Sequence, residues 1–253
     1  VNNNRISRKT SELCWGRQPV LTLLESDPSR CQKILLSESG GKGFSDKIEA
    51  LVSKHNIPIE RVHPKVLEKL SEGENHQGII AKMSSLEPMD LKDLLAKLDP
   101  QKACMLIVLD HIQDPHNLGA IIRSAEASGS SGVIYPSRRA SAANATVIKT
   151  SAGSALRTPL VGVVNVSRTL MELQKNNFWV VGLDHRAEKS LWTEEMPSRL
   201  ALVVGSEGQG ISRLVLTKCD EIRRIPMAGQ TASLNASVAA ALGMFEWTRT
   251  FTK

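Results

Sequence analysis

The stretch Cys104-Met-Leu-Ile-Val-Leu-Asp-His-Ile-Gln-Asp-Pro-His-Asn-Leu-Gly-Ala-Ile-Ile-Arg-Ser-Ala-Glu126 decides the fold. From Cys104 to Leu109 it is apolar without alternation, the pattern of a strand covered on both faces in a parallel sheet. A polar turn follows, and then a helical pattern over Asn117–Ser128. Runs of the same apolar kind return at Gly132–Tyr135, Leu160–Val164, Trp179–Leu183 and Leu200–Val204. Further helical stretches lie at Ala143–Thr150, Ser167–Lys175 and Ile211–Lys218. Strand, helix, strand at this spacing predicts a doubly wound α/β domain. Such sheets hold ligands at the carboxyl ends of their strands, where Asp110, His111, Asp114, His116 and Asn117 are crowded. Taken alone, Asn117 reads as a helix N-cap and Arg123 as a surface ion-pairing residue. The density of polar groups at the strand end argues for a site instead.

Upstream the pattern is different. Between Trp15 and Met83, helices at Gln18–Glu25, Phe44–His55 and Lys65–Ser71 alternate with strands at Lys33–Ser37, Ile57–Val62 and Gly78–Met83. That is a compact α/β unit of its own. Turn chemistry at Ser84–Asp90 and a short amphipathic helix at Leu91–Leu98, stopped by Asp99 and Pro100, mark the boundary. The expected organisation is a disordered tail at 1–10, a small domain at 11–84, a linker at 85–100 and a larger domain at 101–253.

Composition narrows the classes. The chain of 253 residues carries a net charge of +6, which favours an anionic partner, and the excess is shared evenly about residue 84. Aromatics at 4% argue against a base-stacking platform. No apolar run reaches the roughly 20 residues of a membrane span, and the first ten residues have no signal-peptide core. Cys14, Cys31, Cys104 and Cys219 are far apart and show no zinc-ligand spacing. Ordinary thiols, no metal and a cytoplasmic location are expected, or an organellar one where a transit peptide has been removed.

Two later segments carry chemistry. Leu200-Ala-Leu-Val-Val-Gly-Ser-Glu-Gly-Gln-Gly-Ile-Ser212 is again a strand, a glycine-rich loop and a helix. Its glycines reverse the dinucleotide fingerprint, and Ile211 stands where a phosphate-binding loop needs Lys. What remains is either a tight turn or a loop that a ligand approaches closely, with Glu207 inside it. The third segment runs from Ile222 to Gly243: a short strand ending at Pro226, a turn at Ala228–Gln230, and an Ala-rich helix capped by Ser233 or Asn235.

In this order the three segments resemble motifs one, two and three of the SpoU family of RNA ribose methyltransferases, within the SPOUT group. The likeness rests on Asn117 to Ala125 in the first, Val204 to Gly210 in the second, and Ile225 to Gly229 with Ser233 to Ser237 in the third. A softer likeness joins Trp15–Leu24 and His76–Ile80 to the ends of the ribosomal-protein-like substrate-binding domain found in the ribosomal-RNA branch; His76 is given no catalytic role.

The resemblance implies a SPOUT-type parallel sheet with a deep trefoil knot, a homodimer with sites at the subunit interface, S-adenosylmethionine as methyl donor, and RNA as partner. It implies Gly205, Ile225 and Leu234 as donor-binding residues, and Asn117, Arg123, Glu207, Ser233 and Asn235 around the reacting ribose. A guanosine of large-subunit ribosomal RNA is the expected target, with a transfer-RNA ribose as the alternative. A guanidinium stays protonated, so Arg123 reads more easily as an anchor for phosphate and developing alkoxide than as a base, although a base role stays open. Arg138, Arg139, Arg223 and Arg224 form either a phosphate-binding surface or a solvated face. Two rival classes remain. A non-catalytic RNA-binding or ribosome-assembly protein would bind RNA without donor; a nucleotide-dependent oxidoreductase would need the glycine order that this loop lacks.

Overall fold

A computed structural model describes residues 11–39, 41–137, 145–231 and 233–251. The expected tail at 1–10 and the candidate basic residues Arg138 and Arg139 lie outside these. The described residues divide into two compact units, one drawn from 11–87 with 145–156, the other from 88–137 with 157–251.

The first unit is built on a four-stranded sheet of β1 (Ser11–Trp15), β2 (Cys31–Ser37), β3 (Ile59–Val62) and β4 (Ile79–Ser84), in the order β1-β4-β2-β3. Only β2 and β3 run parallel. Between the strands come α1 (Arg17–Ser26), α2 (Lys42–Lys54) and α3 (Pro64–Leu70). The last starts where His63 Nδ1 accepts from Lys65 N and Pro64 fills the first helical position, which has no amide partner to lose. Leu23, Leu24, Ile34, Ile48 and Ile80 are fully buried in this unit.

The segment 145–156, which chain order assigns to the C-terminal domain, packs here through α6 (Ala145–Thr150). Lys149 pairs with Glu74 and stands over the Trp15 ring. Gly153, at φ +90°, comes so close to α1 that a β-carbon would sit 2.8 Å from Thr22 Cβ. A side chain at 153 would therefore break that contact.

The second unit is a six-stranded, wholly parallel sheet: β5 (Cys104–Asp110), β6 (Gly132–Pro136), β7 (Leu160–Val163), β8 (Trp179–Leu183), β9 (Arg199–Gly205) and β10 (Glu221–Arg223), in the order β10-β8-β9-β5-β6-β7. On one face α4 (Leu91–Lys97), α7 (Val166–Lys175) and α8 (Arg213–Leu216) bury Leu94, Leu170, Leu173 and Val215 against Leu106, Val108, Ala201 and Val203. On the other lie α5 (Pro115–Ala127) and α9 (Ala236–Phe251), where Gly243 lets α9 sit directly on Leu202 and Leu183. The continuous apolar runs are explained by this double cover: every residue of β5 is buried.

Three sequence expectations change. Asn117 is not the cap of α5; Asp114 is, its carboxylate accepting from His116 N and Asn117 N, because Pro115 takes the first helical position. The helix expected at Ile211–Lys218 shortens to α8, since residues 206–212 are held in a turn. The stretch 85–100 is no free linker beyond residue 87: Met89 pairs with Val161 and Leu94 is 2% exposed. The four cysteines are free.

Chain from β5 turns toward β6 on one side, while chain from β9 passes to β10 on the other. The carboxyl ends of these two central, adjacent strands are therefore the switch point of the sheet, where a crevice opens.

Candidate active site

At that switch point the three motif segments converge. Gly205 closes β9, and residues 206–210 fold back so that Ser206 and Gly210 exchange two backbone hydrogen bonds of 3.2 and 2.9 Å. The returning chain lies against the α-carbon of Gly205: a β-carbon there would stand 2.0 Å from Gly210 C and 2.2 Å from Ile211 N. Only glycine fits. At Gly205 the glycine is required by the tight turn, the first of the two options left open by the sequence.

This loop forms one wall of a cavity of about 250 Å³. The segment after β10 supplies Ile225 and Met227, and the segment before α9 supplies Ser233 and Leu234. The three residues expected to bind the donor, Gly205, Ile225 and Leu234, thus line one cavity together with Glu207 and Ser233. Mostly apolar walls broken by exposed backbone and a few polar groups suit a ligand that is part aromatic ring and part polar chain.

The remaining motif residues meet beside it. Asn235 Oδ1 accepts from Ser237 N at 2.9 Å and so caps α9. Its Nδ2 lies 2.9 Å from Asn117 Oδ1 and 3.1 Å from Glu207 Oε2, donating toward both. Asn117, Asn235 and Glu207, from three separate segments, are tied through one amide group. A second cleft opens over Asn117 and Glu207, bordered by His111 and Gln113, and it shares Ser206 and Glu207 with the cavity. Arg123 is not part of this cluster. It is exposed on α5, and among the described residues it has no hydrogen bond or ion pair.

Sequence reasoning misses two features. Asp110, 2% exposed, accepts from Ser212 N at 2.7 Å and faces His111 Nδ1 at 2.7 Å, so one buried carboxylate anchors the far end of the glycine loop. Its signal is a charge ending an otherwise apolar strand. Asp184 and His185, after β8, also line the cavity. Arg186 grips Asp184 with Nε at 2.8 Å and an η-nitrogen at 2.7 Å, and these hydrogen bonds hold the Asp184 carboxyl below the usual carboxylate range.

Arg223 is no phosphate-binding surface residue. It is 2% exposed, bonded to both oxygens of Glu221 and to Glu194 O at 2.9 Å. It ties the segment after β8 to β10, two residues before Ile225. Arg224 is exposed. Among the described residues no group of three or more His, Cys, Asp or Glu is placed to hold a metal ion, and no helix is long and apolar enough to cross a membrane.

Comparison with known proteins gives two family matches: the SpoU rRNA Methylase family over residues 104–245, and RNA 2'-O ribose methyltransferase substrate binding over residues 13–89. The 23S rRNA (guanosine-2'-O-)-methyltransferase RlmB of Escherichia coli (strain K12) is 42% identical over 247 residues, covering 94% of this chain and 98% of the relative. Its counterpart in Xylella fastidiosa (strain 9a5c) is 39% identical over 244 residues, covering 95% and 97%. Among solved structures, the SpoU methyltransferase AviRb from Streptomyces viridochromogenes in complex with AdoMet superposes with a TM-score of 0.80 at 23% identity, covering 98% of this chain and 94% of that one.

Proposed function

The chain belongs to the SpoU rRNA methylase family, and from that membership we propose that it transfers a methyl group from S-adenosylmethionine to the ribose 2′-hydroxyl of a guanosine in 23S ribosomal RNA. The observation that carries this reading is adjacency: the cavity lined by Gly205, Ile225 and Leu234 shares Glu207 with the cleft over Asn117. The relatives named for this reaction span nearly the whole chain.

The cavity fits the donor by its mixed lining of apolar side chains, loop backbone and a few polar groups. When bound there, S-adenosylmethionine supplies an activated methyl group on a positively charged sulfur. The chain's task is to hold a hydroxyl in line with it and to take up the hydroxyl proton. Asn235 fixes Asn117 and Glu207 relative to each other. Glu207 Oε2 is engaged by Asn235, and Oε1, which has no hydrogen-bond partner among the described residues, takes the proton. Arg123, always protonated, binds the phosphate beside the target and stabilises the developing alkoxide. Ser233, exposed at the cavity rim, hydrogen-bonds the ribose side of the site.

The same reading includes a trefoil knot and a homodimer. The knot is supported by the family match and by α9 packing on β9. The dimer is supported by Val238, Leu242 and Phe245, which stand exposed along α9 beside Ser124 of α5. A second copy seated on that face would cover them and bring Arg123, next to Ser124, to a site it does not reach within one chain. The N-terminal unit grips the RNA around the target, as its family match supports.

The test is transfer of labelled methyl from S-adenosylmethionine to protein-free 23S ribosomal RNA, wild type beside Arg123→Ala, with the product mapped by cleavage sensitive to 2′-O-methylation. One Arg123-dependent mark on a guanosine is expected. Donor binding without transfer to this RNA, but with transfer to transfer RNA, would replace the target; RNA binding with neither donor binding nor transfer would leave a non-catalytic RNA-binding protein.

A further inference from the structure

His111, Ile112 and Gln113, which border the cleft over Asn117 and Glu207, also line a slot of about 350 Å³ at the carboxyl ends of β5, β6 and β7. Two apolar side chains on the rim of this slot are exposed far beyond their neighbours: Val164 at 73% and Leu214 at 62%. Packing does not account for them, since α8 buries Val215 and leaves Leu214 outside, and Val164 follows the last residue of β7. Exposed apolar side chains and polar groups lining one slot, here Val164 and Leu214 with Gln113 and Asn165, are the elements that receive an unstacked nucleobase: faces against the apolar groups, edge against the polar ones.

His111 borders both cleft and slot. Its φ of +60° is a conformation that a bulky side chain adopts at a cost, and it is held there by Asp110. The other oxygen of Asp110 binds Ser212 N, at the cap of α8, so one buried carboxylate sets both the imidazole and the helix that carries Leu214. With Nδ1 of the imidazole engaged by Asp110, His111 Nε2 is the ring nitrogen left to meet a ligand. The Gln113 side chain has no hydrogen bond among the described residues, and its amide is free for a ligand.

We propose that this slot receives the base of the methylated nucleotide, a guanine turned out of its stack, lying against Val164 and Leu214 with its N–H edge toward His111 Nε2 and Gln113. The inference rests on the methyltransferase reading. Donor cavity and ribose cleft have Ser206 and Glu207 in common in their walls, and ribose cleft and slot have His111 to Gln113 in common. That is the order in which methyl donor, 2′-oxygen and base follow one another. Guanine presents donors at N1 and N2 to an acceptor there; adenine has no proton at N1.

The test uses the full chain and a stem-loop RNA spanning the mapped guanosine, carrying guanosine, inosine, adenosine or fluorescent 2-aminopurine at that position. Val164→Trp fills the slot from an exposed position. It is expected to lower kcat/KM for RNA at least about tenfold and to abolish the rise in 2-aminopurine fluorescence on binding, while the Kd for S-adenosylmethionine by calorimetry stays within about twofold. Gln113→Ala and His111→Gly are expected to narrow the preference for guanosine over adenosine by about tenfold each. Unchanged RNA kinetics and fluorescence in Val164→Trp would overturn the slot and leave the methyltransferase reading standing. A wild-type protein that transfers no methyl to any of these RNAs would remove that reading, and the slot with it.

Discussion

Asn235 Nδ2 and Asn117 Oδ1 lie 2.9 Å apart although 118 positions separate the two residues in the chain. The same Asn235 caps α9 through its Oδ1. One amide therefore serves two purposes, starting a helix with its oxygen and fixing two candidate catalytic residues with its nitrogen. The two can be separated by substitution.

Asn235→Asp keeps an acceptor for Ser237 N and replaces the donor by a second carboxylate beside Glu207. Its melting temperature is expected close to wild type, with methyl transfer reduced on the order of 100-fold. Asn235→Ala loses the cap as well, and its stability is expected to fall by about 1 kcal/mol. Thermal unfolding alongside initial rates checks both; an Asp variant as active as wild type would dissolve the assigned link to Asn117 and Glu207.

Gly205→Ala places a methyl group inside the Gly210–Ile211 backbone. Backbone cannot rotate away as a side chain does, so a loss of about 3 kcal/mol or more is expected, together with loss of S-adenosylmethionine binding. Denaturant titration and calorimetry measure the two. Gly208→Ala, where no heavy atom lies within 4 Å of the added carbon, is strained only by its φ of +99° and is expected to be the milder variant.

Arg123→Ala is expected to leave stability within about 0.5 kcal/mol of wild type, since the side chain is exposed and without partners among the described residues. Methyl transfer is expected to disappear while donor affinity stays unchanged. Arg123→Lys with substantial activity would show that a planar, two-pronged contact is not required.

Acid unfolding should report on Asp184. Hydrogen bonds from Arg186 lower its pKa in the folded protein. The stability it contributes is therefore present above the unfolded value of about 3.9 and is lost as pH falls through the lower folded value. Below pH ~4 the wild-type melting temperature is expected to drop more steeply than that of Asp184→Asn, with the two curves converging at the acid end. Parallel curves down to pH ~2 would assign no stability to the pair.

Much of this site is legible in the order of the residues. The all-apolar runs of β5 and β9 announce a sheet covered on both faces, and the glycines at 205, 208 and 210 announce either a tight turn or a loop that a ligand approaches. That the approaching group is the chain's own backbone at Gly210 and Ile211 is a three-dimensional fact with no sequence period. Local rules misplace Asn117 as a cap because they do not say which of several polar residues wins; Pro115 decides for Asp114. Arg223 reads as a surface cation because its counter-charge, Glu221, lies two residues away and faces the same buried side only when β10 forms. The strand β1 lies at the edge of its sheet, and its Ser-Glu-Leu-Cys-Trp shows neither a continuous apolar run nor an apolar–polar alternation.

The strand order β10-β8-β9-β5-β6-β7 has a consequence for how the protein comes into being. During synthesis β5, β6 and β7 are all made before β8 and β9, so β5 has its neighbour on one side early. The other side of β5 waits for β9, which is made only after the whole of α7 and β8. Throughout that interval the nascent chain exposes an unpaired strand of seven residues, six of them apolar, of the kind that recruits foreign strands. A messenger that pauses within the codons for β8 should therefore yield chains that depend heavily on chaperones, whereas a pause after Gly205 should not.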